Sequence, residues 1–232
     1  MPGLRNTKIP FYTVLNLESA KKRIIEIIRI LYRQNPESRT ALNFQTPLQI
    51  LVATILSAQC TDARVNMITP DLFKKYPTVS DFAQANPEEL QEEIHSTGFF
   101  RNKSKNIIMS SHKIVEDFGG KVPDSMEALL TLPGVARKTA NIVLSSGYGR
   151  AEGIAVDTHV KRLTRRLGLS KENNPDKIEL DLLGLVPRKD WLDFNYVFVN
   201  HGRNVCQARK PRCPECMLKS LCPSAVEASP IR

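Results

Sequence analysis

The chain has 232 residues, 41% hydrophobic and 25% charged, with a formal net charge of +9. That balance supports a packed core and excludes wholesale disorder. The 15 prolines and 11 glycines exclude collagen-like and low-complexity classes. No apolar run approaches the ~20 residues of a membrane helix, so no membrane is expected as a partner. The N-terminus shows no apolar core with a small-residue cleavage site, so no secretory signal is expected.

In chain order, the first 17 residues read as a loose arm, with Pro2, Gly3 and Pro10. Residues 18–34 form an amphipathic helix, because Ile24, Ile27, Ile28 and Leu31 recur at helical spacing. Thr46-Pro47 is an N-cap with proline at the first helical position. The following run, Leu48 to Leu56, is apolar nearly all round and belongs at the buried centre of a bundle. Further helices are expected at 61–75, 87–95, 103–118, 125–131, 137–145, 157–167, 174–185 and 189–200. Asn86-Pro87-Glu88-Glu89 and Pro123-Asp124-Ser125 mark two of the starts. Period-2 alternation is nearly absent, so the expected class is all-α with no sheet. No linker or repeat is visible, so any division into lobes requires the chain to return and pack on itself.

The charge favours a polyanion, nucleic acid or an anionic membrane surface. Its distribution sharpens this. Residues 78–99 hold Asp81, Glu88, Glu89, Glu92 and Glu93 without a Lys or Arg, whereas residues 101–113 hold Arg101, Lys103, Lys105 and Lys113 without an acid. Residues 137–166 add seven basic side chains against Glu152 and Asp157. Such segregation predicts one basic face and one acidic face.

Of five cysteines, Cys60 stands alone after an apolar run and reads as a small buried residue. Cys206, Cys213, Cys216 and Cys222 span 17 residues with the spacing C-x6-C-x2-C-x5-C. Without a secretion signal a disulfide framework is a poor reading. Four thiolates so close together indicate a metal or iron–sulfur site, and the spacing alone leaves zinc open.

The run Leu132-Pro133-Gly134-Val135-Ala136-Arg137-Lys138-Thr139-Ala140 is a tight turn between two helical patterns. Gly134 permits positive φ, and the following helix begins with free backbone N–H groups suited to a phosphate oxygen. Further on, Val156-Asp157-Thr158-His159-Val160 places Asp157 between an apolar run and a basic helix, at an N-cap position. His159 and His201 are expected to be structural, and Trp191 to pack in the second lobe.

Taken with the four-cysteine segment, these stretches resemble the endonuclease III family of DNA glycosylases. Matching pieces also lie at Leu56-Ser57-Ala58-Gln59-Cys60-Thr61-Asp62, at Thr97-Gly98-Phe99-Phe100-Arg101-Asn102-Lys103 and at His201-Gly202-Arg203. The resemblance runs from about residue 20 to 223 in family order. It implies a helix–hairpin–helix fold with two helical lobes and a DNA-binding cleft between them. One lobe, residues 40–150, is a six-helix bundle. The other joins residues 1–39 to 151–232 and holds a [4Fe–4S] cluster on Cys206, Cys213, Cys216 and Cys222, structural and DNA-positioning in role. The implied partner is double-stranded DNA with damaged bases or abasic sites, met by a monomer in a prokaryotic cytoplasm, at the nucleoid. No diffusible cofactor or magnesium ion is expected.

The resemblance also assigns roles. Lys138 is the nucleophile that attacks C1′ and forms a Schiff base, which needs a neutral amine although free lysine titrates near ~10.4. Arg137 and a partly desolvated cleft are expected to favour that form. Asp157 is the catalytic carboxylate. Gln59 fills the gap left by the flipped base, Phe99 is a second wedge, and either Phe99 or Phe100 packs inward. Gly134, Ala136 and Arg137 contact DNA at the hairpin, and Arg209, Lys210 and Arg212 press on phosphates from the cysteine loop.

One position departs from the pattern. Where the hairpin commonly has glycine, this chain has Ala136, whose Cβ would strain a positive-φ residue or shift the backbone from a phosphate. The implied activity is removal of oxidised pyrimidines, with cleavage of the abasic strand. An adenine-excising relative would need a glutamate within 52–62, where no acid precedes Asp62. A monofunctional or mismatch-specific relative, and a non-enzymatic four-cysteine zinc protein that binds DNA, are the alternatives; Lys138 together with Asp157 argues against both.

Overall fold

The structure, a computed structural model, describes residues 14–36 and 40–225. Among these there are eleven α-helices, several single-turn 3-10 segments and no strand. The N-terminal arm lies outside the described residues, except that the chain is already helical from Val14, earlier than expected. The chain divides into two compact units, one of Arg39–Ala155 and one that joins the N-terminal helix to the chain from Val156 onward.

The first unit is built around α2 (Pro47–Leu56). Thr46 caps it by accepting from the Gln49 N–H at 3.2 Å, and Pro47 occupies its first position. Every α2 residue except Pro47 and Gln49 is buried. A helix with no polar face must be covered on all sides, and α3 (Asp62–Lys75), α6 (Phe100–Phe118), α8 (Arg137–Ile142) and a π-helical turn at Val143–Gly147 all pack on it. Against α6 also lie α4 (Val79–Ala83) and α5 (Pro87–Ile94).

The short α4 was not expected from apolar periodicity, since five residues show too little of it. Its signal is a capping box. Thr78 Oγ1 accepts from the Asp81 N–H at 3.2 Å while Asp81 Oδ2 accepts from the Thr78 N–H at 2.8 Å. Helix α6 starts at Phe100, three residues before the expected 103. Its N-cap residue, Phe99, is left-handed and makes no side-chain cap bond, so no capping residue announces the start.

After α6 come α7 (Met126–Leu129), capped by Ser125, and the hairpin that leads into α8. Gly134 has φ +76°, and a Cβ there would lie 2.6 Å from Asn106 Nδ2 on α6. Ser110 of α6 donates to the Pro133 carbonyl at 2.6 Å. The turn is thus seated directly on α6.

The second unit packs α1 (Val14–Gln34) against α10 (Pro175–Leu185) and α11 (Trp191–Asn204), with α9 (Thr158–Arg166) also on α11. The expected face of α1, Ile24, Ile27, Ile28 and Leu31, is buried. Phe194 and Phe198 stack at 4.0 Å in the same unit. Arg23 donates to the Leu167 carbonyl at 2.6 Å and the Leu221 carbonyl at 3.2 Å, tying α1 to distant chain. Trp191 is half-buried, and its Nε1 donates to the Val186 carbonyl at 2.9 Å.

Two stability predictions follow from these local devices. Thr78→Ala removes the capping box and is expected to cost about 1 kcal/mol, which lowers the thermal midpoint by ~2–4 °C. Gly149 has φ +62° with nothing near its missing Cβ, whereas Gly134 is crowded by Asn106. Gly149→Ala is therefore expected to cost the backbone strain alone, about 1–2 kcal/mol, and Gly134→Ala clearly more. Equal losses in paired thermal melts would show that the Asn106 contact is irrelevant.

Candidate nucleic-acid interface and cysteine-lined cavity

The hairpin sets its residues in a defined order. Gly134 and Ala136 are exposed, Arg137 is half-buried, and Lys138 is exposed as the second residue of α8. Ala136 is the N-cap with φ −87° and ψ 169°. That is ordinary extended backbone, so its Cβ strains nothing, and the concern about positive φ at this position is corrected.

Asp157, in the second unit, is the N-cap of α9, its Oδ1 accepting from the Val160 N–H at 2.8 Å. The capping role read from the sequence is therefore real, and it fixes the carboxylate's orientation. His159 follows on the same turn. Its Nδ1 lies 3.1 Å from Arg162 Nη2, and burial pushes its pKa down. Gly202 of α11 sits against this pair, where a Cβ would meet His159 Nδ1 at 2.8 Å.

Gln59 and Phe99 are, among the described residues, the two non-glycine residues with positive φ, at 54° and 49°. Both are exposed, Phe99 to 61%. Phe100 instead packs partly buried against the core and against His95, with ring centroids 4.4 Å apart. Cys60, expected to be buried, is only half-buried at the edge of the same core.

Cys206, Cys213, Cys216 and Cys222 line one cavity of about 320 Å³, together with Arg166 and His201. Among the described residues no three Cys, His, Asp or Glu side chains converge to hold a single metal ion. The loop is held from α9. Arg162 donates to the carbonyls of Gly202 at 3.0 Å and Cys206 at 3.1 Å. Arg166 donates to the Gln207 carbonyl at 2.8 Å, with Nη1 also 3.2 Å from Cys206 Sγ. Burial pushes the Cys216 and Cys222 thiols up and pulls His201 down to about 4. His201 Nε2 lies 3.6 Å from Cys216 Sγ. Arg209, Lys210 and Arg212 are exposed on the loop between the first two cysteines.

The two expected charge faces require correction. Of the seven basic residues in 137–166, Arg162 turns to the Cys206 carbonyl, Arg166 to the Gln207 carbonyl, and Arg150 pairs with Asp124 at 2.7 Å. In the 101–113 block Lys103 is buried, 4% exposed, and Lys113 pairs with Asp117 at 2.6 Å. The acidic block is partly offset by Lys75, which reaches Glu89 at 3.1 Å and Glu93 at 2.5 Å. Sequence reasoning counted these groups as surface charge. The available signal was spacing: Lys103 falls in line with buried Ile107, Ser110 and Ile114 on α6, and Arg162 and Arg166 lie one turn apart on α9.

The chain is similar to known proteins over most of its length. Residues 52–188 match the family model of the HhH-GPD superfamily base excision DNA repair protein. The chain is 56% identical over 209 residues to an endonuclease III of Synechocystis sp., covering 90% of this chain and 95% of that one. It is 45% identical over 188 residues to an endonuclease III of Bacillus subtilis, covering 81% of this chain and 85% of that protein. Among solved structures, a non-covalent endonuclease III–DNA complex superposes with a TM-score of 0.85 at 37% identity, covering 89% of this chain and 97% of that chain. On these residues, this fold and these relatives, the chain belongs to the endonuclease III family within the HhH-GPD superfamily of base excision DNA repair proteins.

Proposed function

We propose that this protein is a bifunctional DNA glycosylase and AP lyase that removes oxidised pyrimidines from duplex DNA through a Schiff base on Lys138. The observation that carries the reading is the hairpin. Gly134, at φ +76° and seated on α6, turns the chain so that α8 opens with Lys138 exposed beside Arg137. Such a lysine is accessible to a sugar carbon once the damaged base has left the stack. Because Lys138 is exposed, desolvation of its amine comes with bound DNA.

In this mechanism Lys138 attacks C1′ and the C1′–N bond breaks, with the base as leaving group. Asp157, oriented by the Val160 N–H at 2.8 Å, stabilises positive charge that develops on the sugar and takes up the lysine's proton. The C1′–O4′ bond then breaks, O4′ taking up a proton, and the opened sugar holds Lys138 as a C1′=N Schiff base; loss of a 2′ proton from it expels the 3′ phosphate by β-elimination. Gln59 and Phe99 occupy the gap left by the extruded nucleotide. Arg209, Lys210 and Arg212, together with Gly134, Ala136 and Arg137, contact the phosphate backbone. The protein acts as a monomer on bacterial chromosomal DNA, in the cytoplasm.

The cysteine-lined cavity fits a [4Fe–4S] cluster better than zinc. One zinc ion needs its sulfurs within ~2.3 Å of a single point. Here the thiols ring a cavity of about 320 Å³ without converging on one, as four irons with one thiolate each require. When bound, the cluster cross-links the loop that carries Arg209, Lys210 and Arg212. Arg162 and Arg166 hold that loop's carbonyls and offset thiolate charge.

Borohydride trapping on a duplex with one thymine glycol tests the catalytic reading. Wild type is expected to yield a covalent adduct and Lys138→Ala to lose strand cleavage by more than about a thousandfold. Asp157→Asn is expected to bind the lesion while turnover falls ~10²–10⁴-fold. Strand cleavage retained in Lys138→Ala excludes it as nucleophile, and base release without trapping marks a monofunctional enzyme. Separately, purified protein is expected to be brown with about four irons per chain, and Cys216→Ser to lose both colour and iron. A colourless protein with stoichiometric zinc overturns the cluster.

A further inference from the structure

Gln59 and Phe99 lie in different loops, one after α2 and one before α6, yet share an uncommon backbone, with φ of 54° and 49°. Left-handed geometry is sparsely populated for residues with a side chain and persists only where the surroundings hold it. Both loops are held by the same group. Lys103 Nζ donates to the Leu56 carbonyl at 2.8 Å and to the Thr97 carbonyl at 2.8 Å. Leu56 ends α2, so its carbonyl lacks an intrahelical partner, and it lies three residues before Gln59. Thr97 lies two residues before Phe99. The ammonium, with three donors and no acceptor, reaches both turns at once.

Lys103 is 4% exposed, and burial pulls its pKa down. Neither fact suits a phosphate contact, the duty that its place in a basic block suggests. Its own helix fixes its position: the Lys103 N–H donates to the Phe99 carbonyl at 3.1 Å. Phe99 is therefore gripped from both sides, through its own carbonyl and through Thr97.

We infer that Lys103 is a positioning residue that clamps the 56–60 and 97–99 loops to each other, so that Gln59 and Phe99 are presented to DNA as one rigid two-pronged wedge. The inference rests on the reading of Gln59 and Phe99 as the groups that enter the duplex. It adds that the prongs share a mount inside the protein, and that loss of the mount disables both without removing either.

The test uses the full chain and a duplex with 2-aminopurine opposite a tetrahydrofuran abasic analogue. The emission rise at saturating protein reports how far the orphan base is unstacked. Lys103→Met, similar in length and without donors, is expected to cut that rise about fivefold, the population shift expected when such strained loops are released. Its salt dependence of binding is expected to match wild type, because no phosphate contact is lost. Lys103→Gln, with an amide donor on a shorter stem, is expected to recover part of the signal, and it is the variant read if Lys103→Met does not melt cooperatively. In a Gln59→Ala/Phe99→Ala background, Lys103→Met is expected to have no further effect. A full signal from Lys103→Met, or the same fractional loss in the background that lacks both prongs, overturns the clamp. An unchanged signal in Gln59→Ala/Phe99→Ala itself overturns the wedge reading, and the clamp with it.

Discussion

Helix α2 has no polar face, and the first unit is arranged around that fact. An apolar helix leaves no side for water, so α3, α6, α8 and the π turn enclose it. Enclosure creates a second problem at its C-terminal end, where carbonyls are left without helical partners. The Leu56 carbonyl is met by a buried ammonium from α6, at 2.8 Å. Burial of a charge is costly unless it is hydrogen-bonded, so Lys103 holds the α2 terminus as firmly as the terminus holds Lys103.

Helix α6 carries this logic further along one face. Lys103 serves the two loops that bear Gln59 and Phe99, Asn106 lies against Gly134, and Ser110 donates to the Pro133 carbonyl. These residues recur at helical spacing, so a single helix references three loops to one another. Loops positioned by a rigid helix place side chains more reproducibly than loops that lean on solvent. The exposed side of the same helix carries Arg101 and Lys105. The basic stretch 101–113 thus divides into an inward bracket and an outward charge.

The second unit resolves a similar conflict with arginine. Four cysteines gathered round one cavity would concentrate negative charge as thiolates of the proposed cluster. Arg162 and Arg166 project from α9 to the loop carbonyls, and Arg166 reaches Cys206 Sγ at 3.2 Å. Both guanidiniums use the fixed fork of donors that lysine lacks. Asp157 caps the same α9. The carboxylate assigned to the chemistry and the arginines that hold the cysteine loop therefore stand on one helix and are oriented by it.

Much of this was legible in the linear chain, for definite reasons. Helix periodicity, caps such as Thr46-Pro47 and Asn86-Pro87, and the absence of alternation are local, and local signals survive without tertiary context. The candidate site residues were legible as motifs because the hairpin and the Val-Asp-Thr-His segment each fit within a few consecutive residues, and the four cysteines within 17. Other features were not legible. Helix α4 is too short to show periodicity, and α6 begins on a left-handed Phe99 that no cap residue marks. Ala136 proved to be extended, a dihedral that its identity does not reveal. The destination of each charge was the largest gap. Sequence by itself determined that the chain is helical, basic, and equipped with a lysine hairpin and four clustered cysteines. Only the tertiary structure decided that Lys103, Arg162 and Arg166 turn inward, each to a carbonyl more than 40 residues away, at Leu56, Cys206 and Gln207. A side chain's charge is written in its identity, but its partner depends on which backbone ends the fold leaves unsatisfied beside it.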